Sequence, residues 1–167
     1  MDAPHPKILI IDDDELLAEY WKSVLEGYGY GGVTVCSDER NTSALFAETE
    51  FDMVLLDLHL PHISGRELLA RIREEHPEVP VVIITVEDRV DTAVACMKAG
   101  AFDFLTKPVM ESRLISIIRH AVQIRELQLR VSLLESQTRI WDLKHPEAFR
   151  EIITKSDIMY GIFAYIE

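Results

Sequence analysis

The chain has 167 residues, 48% hydrophobic and 28% charged, a globular composition that excludes wholesale disorder and suits one domain plus an appendage. Its 17 basic residues against 29 acidic ones leave a net charge of -12, which a phosphate backbone repels, so direct nucleic-acid binding by these residues is not expected. No apolar run approaches the roughly 20 residues of a membrane span, Met1–Lys7 lacks the build of a signal peptide, and Cys36 and Cys96 have no metal-type spacing, so a cytoplasmic, reduced protein without a membrane partner is expected.

The first strand is predicted at 7–11, where Ile8-Leu9-Ile10-Ile11 runs into Asp12-Asp13. A helix at 14–28, a strand at 32–36 and a helix at 40–49 follow. The third strand, at 52–56, carries Met53-Val54-Leu55-Leu56 into Asp57. His59 and His62 stand in the loop beyond it with no third ligand visible, so they read as exposed loop residues. Ser64 with Glu67 three residues on is a capping box for a helix at 64–75, whose apolar residues are Leu68, Leu69 and Ile72. The fourth strand, at 80–84, runs into Thr85. Asp88 is expected to cap a helix at 88–98 that places Val90, Ala93, Val94 and Met97 at core spacing before Gly100 stops it. The last strand, at 102–105, leads through Thr106 into Lys107-Pro108, and a helix begins near residue 110.

Short apolar runs between helical patterns are buried strands of a parallel sheet, so five such units make an α/β, doubly wound five-stranded sheet with helices on both faces. The crevice of such a sheet lies outside the carboxyl ends of its strands. Three carboxylates (Asp12, Asp13, Asp57), the Thr85 hydroxyl and the Lys107 ammonium should therefore converge there. Taken singly, each has a plainer reading: a helix cap, a turn residue, a strand former, a solvated loop charge. Together, at the ends of four strands, they describe a site for a divalent cation and a phosphoryl group. Asp57 is the candidate nucleophile, since carboxylates form acyl phosphates. Three close carboxylates need a cation, and a hard ion such as Mg²⁺ suits Asp12, Asp13 and Asp57, with the His59 backbone carbonyl as a further oxygen ligand.

Ile8-Leu9-Ile10-Ile11-Asp12-Asp13-Asp14, Asp57-Leu58-His59-Leu60-Pro61 with Ser64-Gly65, Thr85, and Lys107-Pro108 closely resemble the receiver domain of two-component response regulators, over about residues 6–122. The resemblance implies strand order 2-1-3-4-5 and phosphorylation of Asp57 by a sensor histidine kinase. It also implies Mg²⁺ on Asp12 and Asp13, phosphoryl contacts from Thr85 and Lys107, and a cis Lys107–Pro108 peptide. A switch pairing Thr85 with Phe104 is implied as well, with Phe104 held inward by packing alone because it has no hydroxyl. Such a domain is a regulatory phosphoacceptor rather than a turnover enzyme. The alternative, an aspartyl-phosphate phosphohydrolase, resembles its relatives in a second Asp two residues after the nucleophile, where this chain has His59.

From Met110 to Trp141 the chain has neither Pro nor Gly, and Ile117, Ile124, Leu127, Val131, Leu134 and Trp141 fall on an a/d heptad seam. We expect a receiver at 1–122, a dimerising coiled-coil linker at 123–145, and the start of a truncated second domain at 146–167. Gly100 to Val109, followed by the long helix, resembles regulators that activate sigma-54-dependent transcription, and 149–167 resembles the opening of their AAA+ ATPase domain. No Gly-rich phosphate loop occurs in the 167 residues, so neither ATP hydrolysis nor DNA binding is expected of them.

Overall fold

A computed structural model describes residues 6–138, with side chains described through residue 132. The elements alternate as β1 (Lys7–Ile11), α1 (Glu15–Gly27), β2 (Gly32–Cys36), a 3₁₀ turn (Glu39–Asn41), α2 (Thr42–Glu48), β3 (Met53–Leu56), α3 (Gly65–Glu75), β4 (Val81–Thr85), α4 (Val90–Lys98), β5 (Asp103–Thr106) and α5 (Glu111–Thr138). The sheet has order β2-β1-β3-β4-β5 and every pairing is parallel. Side chains alternate faces along a strand, so each strand feeds two cores. Ile8, Ile10, Met53, Leu55, Val82, Ile84 and Leu105 pack on one face with Ala18, Trp21 and Leu25 of α1 and Leu114, Ile115, Ile118 and Ala121 of α5. Leu9, Ile11, Val54, Leu56, Val81 and Ile83 pack on the other with Leu68, Leu69 and Ile72 of α3.

The register explains why the strand ends converge. Ile11 is paired with Leu56, so the residues that follow them, Asp12 and Asp57, leave the two central strands side by side. Thr85 is paired with Thr106, which puts Lys107 just beyond the hydroxyl residue of the neighbouring strand.

Local chemistry sets the helix starts. The Asp14 side chain caps α1 by accepting from the Leu17 N–H at 3.1 Å. Glu67 reaches back to the Ser64 N–H at 3.3 Å in the capping box of α3. At Gly65 a Cβ would collide with the Asp57 carbonyl and the Leu58 backbone, so only glycine lets α3 start this close to the Asp57 loop.

Helix α4 corrects two expectations. Its N-cap is Arg89 rather than Asp88, with no side-chain cap bond. Its core face is Thr92 and Cys96, while Val90, Val94 and Met97 are 76%, 45% and 46% exposed. Helical spacing identifies an apolar stripe but not what the stripe faces, and here small side chains do the packing.

The chain divides into two compact units, the first ending at Arg125. Ile117, placed on the heptad seam by spacing, packs against the first unit's own core. Leu127 and Val131 are exposed. Leu134 lies where side chains are not described, and Trp141 and residues 146–167 lie outside the described residues. Among the described residues no helix is long and apolar enough to cross a membrane.

Candidate functional site

Asp12 and Asp57 are buried, at 5% and 6% exposure, and Thr85 is fully buried at the end of β4. Between the carboxylates sits one ammonium: Lys107 Nζ donates to Asp12 Oδ2 at 2.8 Å and to Asp57 Oδ2 at 2.5 Å. The remaining oxygens are held by backbone. The Asp14 N–H donates to Asp12 Oδ1 at 3.0 Å, and the His59 N–H donates to Asp57 Oδ1 at 3.0 Å. The Lys107–Pro108 peptide is cis. The Lys107 N–H donates to the Thr85 carbonyl at 2.7 Å, which anchors the Lys107 backbone beside the end of β4.

Burial sets the electrostatics. It pushes the Asp12 carboxyl above its usual range, although the hydrogen bond and charge of Lys107 pull the other way. It pulls the Lys107 ammonium down, but the two carboxylates outweigh it and hold the lysine above its usual value. The lysine is thus a fixed positive charge in the pocket.

Asp12, Asp13 and Asp57 each offer a carboxylate oxygen, and these atoms lie within 4.8 Å of one another. Asp13 is the exposed member, open to solvent at the rim. An all-oxygen set of this kind fits a hard divalent cation, which retains several waters and takes few carboxylates.

Thr85 and Phe104 belong to adjacent strands but do not pair directly. Phe104 is in register with Ile83, two residues before Thr85, and is half-buried.

Two contacts were outside the reach of sequence reasoning. The His59 ring, considered there only as an exposed loop residue, places Nδ1 3.1 Å from the Thr85 hydroxyl, which also accepts from the Glu87 N–H at 3.3 Å. Buried Glu39, from the turn after β2, accepts from the His62 and Ile63 N–H groups at 2.6 and 2.9 Å and so holds the loop following Asp57. Neither has a sequence signal, because each depends on segments over 20 residues apart being folded together.

Removing Lys107 should expose how much of the pocket's stability rests on one charge. Lys107→Ala leaves two buried carboxylates facing each other, and we expect a loss of about 3 kcal/mol in metal-free buffer at neutral pH. Urea unfolding checks it. An unchanged midpoint would mean that the ammonium does not hold the carboxylates together.

Residues 8–119 match the response regulator receiver domain family. The alginate biosynthesis transcriptional regulatory protein AlgB of Pseudomonas aeruginosa is 35% identical over 133 residues, covering 80% of this chain and 29% of that protein. The nitrogen assimilation regulatory protein NtrX of Azorhizobium caulinodans is 37% identical over 134 residues, covering 79% of this chain and 29% of that protein. The chain thus spans less than a third of the length of either relative. Among solved structures, a response regulator receiver domain protein from Clostridium thermocellum superposes with a TM-score of 0.69 at 33% identity, covering 74% of this chain and 98% of that one.

Proposed function

The chain belongs to the response regulator receiver domain family, and on that premise we propose that it accepts a phosphoryl group at Asp57 from a sensor histidine kinase and passes the signal to a transcription-activating output. The observation that carries this reading is the hold on Asp57, whose two oxygens are fixed by the His59 N–H and by Lys107 beside the Asp12 and Asp13 donors.

In the transfer, a carboxylate oxygen of Asp57 attacks phosphorus, the P–N bond of the donor phosphohistidine breaks, and its electron pair stays on the imidazole nitrogen. Bound by Asp12, Asp13, Asp57 and the His59 carbonyl, Mg²⁺ would neutralise charge on the phosphoryl oxygens. Lys107, now shared between Asp12 and Asp57, turns its ammonium to one phosphoryl oxygen. The Thr85 hydroxyl leaves the His59 ring for another. Phe104 then moves toward the space beside Thr85, held there by packing alone. A few kcal/mol of differential stabilisation is enough to invert such a two-state population.

Turnover as a phosphohydrolase is disfavoured, because the second residue after Asp57 is His59, which supplies no carboxyl for general acid catalysis. The output assignment rests on the resemblance of residues 100–109 and 149–167 to sigma-54-dependent activators, with a linker that dimerises and an AAA+ ATPase-like domain opening at residue 146. The charge of -12 supports a signalling role without direct nucleic-acid contact by this part of the protein. Like other receivers it would work in the cytoplasm.

Metal dependence tests the reading. With an acetyl-phosphate-type donor, labelling should require Mg²⁺ and slow by at least about tenfold in Asp12→Ala, which loses a ligand. Labelling at an unchanged rate after chelation would overturn it.

A further inference from the structure

Outside the acidic pocket, the most unusual group among the described residues is the Glu39 carboxylate. Glu39 is 1% exposed. Its Oε1 accepts from two backbone N–H groups of the loop after Asp57. Its Oε2 is buried and has no hydrogen-bond partner. A carboxylate oxygen with no donor in a low-dielectric setting is costly, and native proteins usually resolve it with a donor or a cation. Glu39 is therefore a buried carboxylate with one oxygen unanswered.

The surroundings supply the rest of a coordination set. His62 Nδ1 lies 3.2 Å from Glu39 Oε1. Asp38, Glu39 and His62 each offer one ligand atom, and these three atoms lie within 4.8 Å of one another. The sequence shows no third ligand for His62 because its partners come from the turn after β2, more than 20 residues earlier. Folding brings them together.

We propose that Asp38, Glu39 and His62 form a second cation site, distinct from the acidic pocket, that takes a borderline divalent transition ion of the Zn²⁺ class. The donor chemistry selects the ion. Two carboxylates and an imidazole suit Zn²⁺, with bonds of about 2.0–2.2 Å, whereas Mg²⁺ prefers oxygen alone. His62 is 48% exposed, so the ion enters from solvent and keeps a water as its fourth ligand. Bound there, it ties the turn after β2 to the loop carrying His59 through Ile63.

Arg40 is the competitor. Its Nε and Nη2 fork the Asp38 carboxylate at 2.9 and 2.7 Å. The guanidinium is 59% exposed and can swing into solvent, releasing Asp38 to the ion. The site thus has a ligand whose loss should weaken binding and a neighbour whose loss should strengthen it.

Calorimetric titration of the full 167-residue chain with Zn²⁺, in excess Mg²⁺ to fill the acidic pocket, tests the proposal. Wild type should bind one Zn²⁺ at this site. His62→Ala should weaken that binding by at least about tenfold, as loss of a ligand does. Arg40→Ala should tighten it by about threefold, the scale of an exposed ion pair removed. Adventitious binding at the chain's other histidines would leave His62→Ala unchanged and overturn the proposal. So would the absence of Zn²⁺ binding in wild type, or an affinity that does not rise in Arg40→Ala.

Discussion

Asp57→Asn is expected to abolish phosphoryl addition completely under conditions where wild type gains one group per chain from an acetyl-phosphate-type donor and Mg²⁺. Geometry alone treats the two buried carboxylates almost alike. Asp12 and Asp57 each have one oxygen on Lys107, at 2.8 and 2.5 Å, and the other on a backbone N–H at 3.0 Å. The resemblance to receivers singles out Asp57, the residue that follows the central strand β3. An amide in its place keeps the shape and can still accept from the His59 N–H, but it is no nucleophile. Asp12→Asn would remove a proposed metal ligand and should slow labelling without preventing it. Intact mass of the three proteins, before and after treatment, separates the roles. Equal labelling of wild type and Asp57→Asn would sink the assignment, and loss only in Asp12→Asn would transfer it to Asp12.

The candidate site was legible in the sequence because its members stand at the ends of apolar runs that could be little else than buried strands. Ile8–Ile11, Met53–Leu56 and Val81–Ile84 became β1, β3 and β4 to within a residue, all buried. Parallel pairing then carries Asp12, Asp57, Thr85 and Lys107 to one edge without any further information. Strand order is a different matter, since alternation of strand and helix does not distinguish one parallel order from another, and it came from the resemblance. What stayed hidden depends on neighbours remote in the chain. The stripe of Val90, Val94 and Met97 has the period of a buried face, and only the packing of Thr92 and Cys96 shows that the helix is turned the other way. Glu39, in a three-residue turn with no periodicity, carries no mark of burial or of its hold on the His62 and Ile63 N–H groups. The same limit applies to the His59 ring, whose contact with Thr85 joins two strand ends 26 residues apart.

The linker is expected to make the protein a homodimer, and Leu127→Asp with Val131→Asp should make it a monomer. The heptad pattern makes Ile117 the first seam residue, but Ile117 packs on its own domain, so a pairing surface would begin at Ile124. Ile124 is half-buried, and Leu127 and Val131 are 59% and 53% exposed on a helix that continues to Thr138. An isolated helical segment of that length is marginal in water, and an i,i+4 pair such as Glu126–Arg130, 2.6 Å apart, adds only about 0.3–0.5 kcal/mol. Burying Leu127 and Val131 against a second copy would supply what propensity does not, through knobs-into-holes packing in a parallel, two-fold arrangement. Two aspartates per chain on that seam would place four carboxylates in an apolar interface, which coiled coils do not tolerate. Gln128, adjacent but off the seam, should accept change freely. Light scattering at about 50 µM distinguishes the states, since a dimer that fails to form there is worth less than about 6 kcal/mol. Retained circular dichroism and retained labelling at Asp57 in the variant would show that the receiver still folds. A wild-type protein already monomeric at that concentration would mean that Leu127 and Val131 do not bind a second copy of this chain.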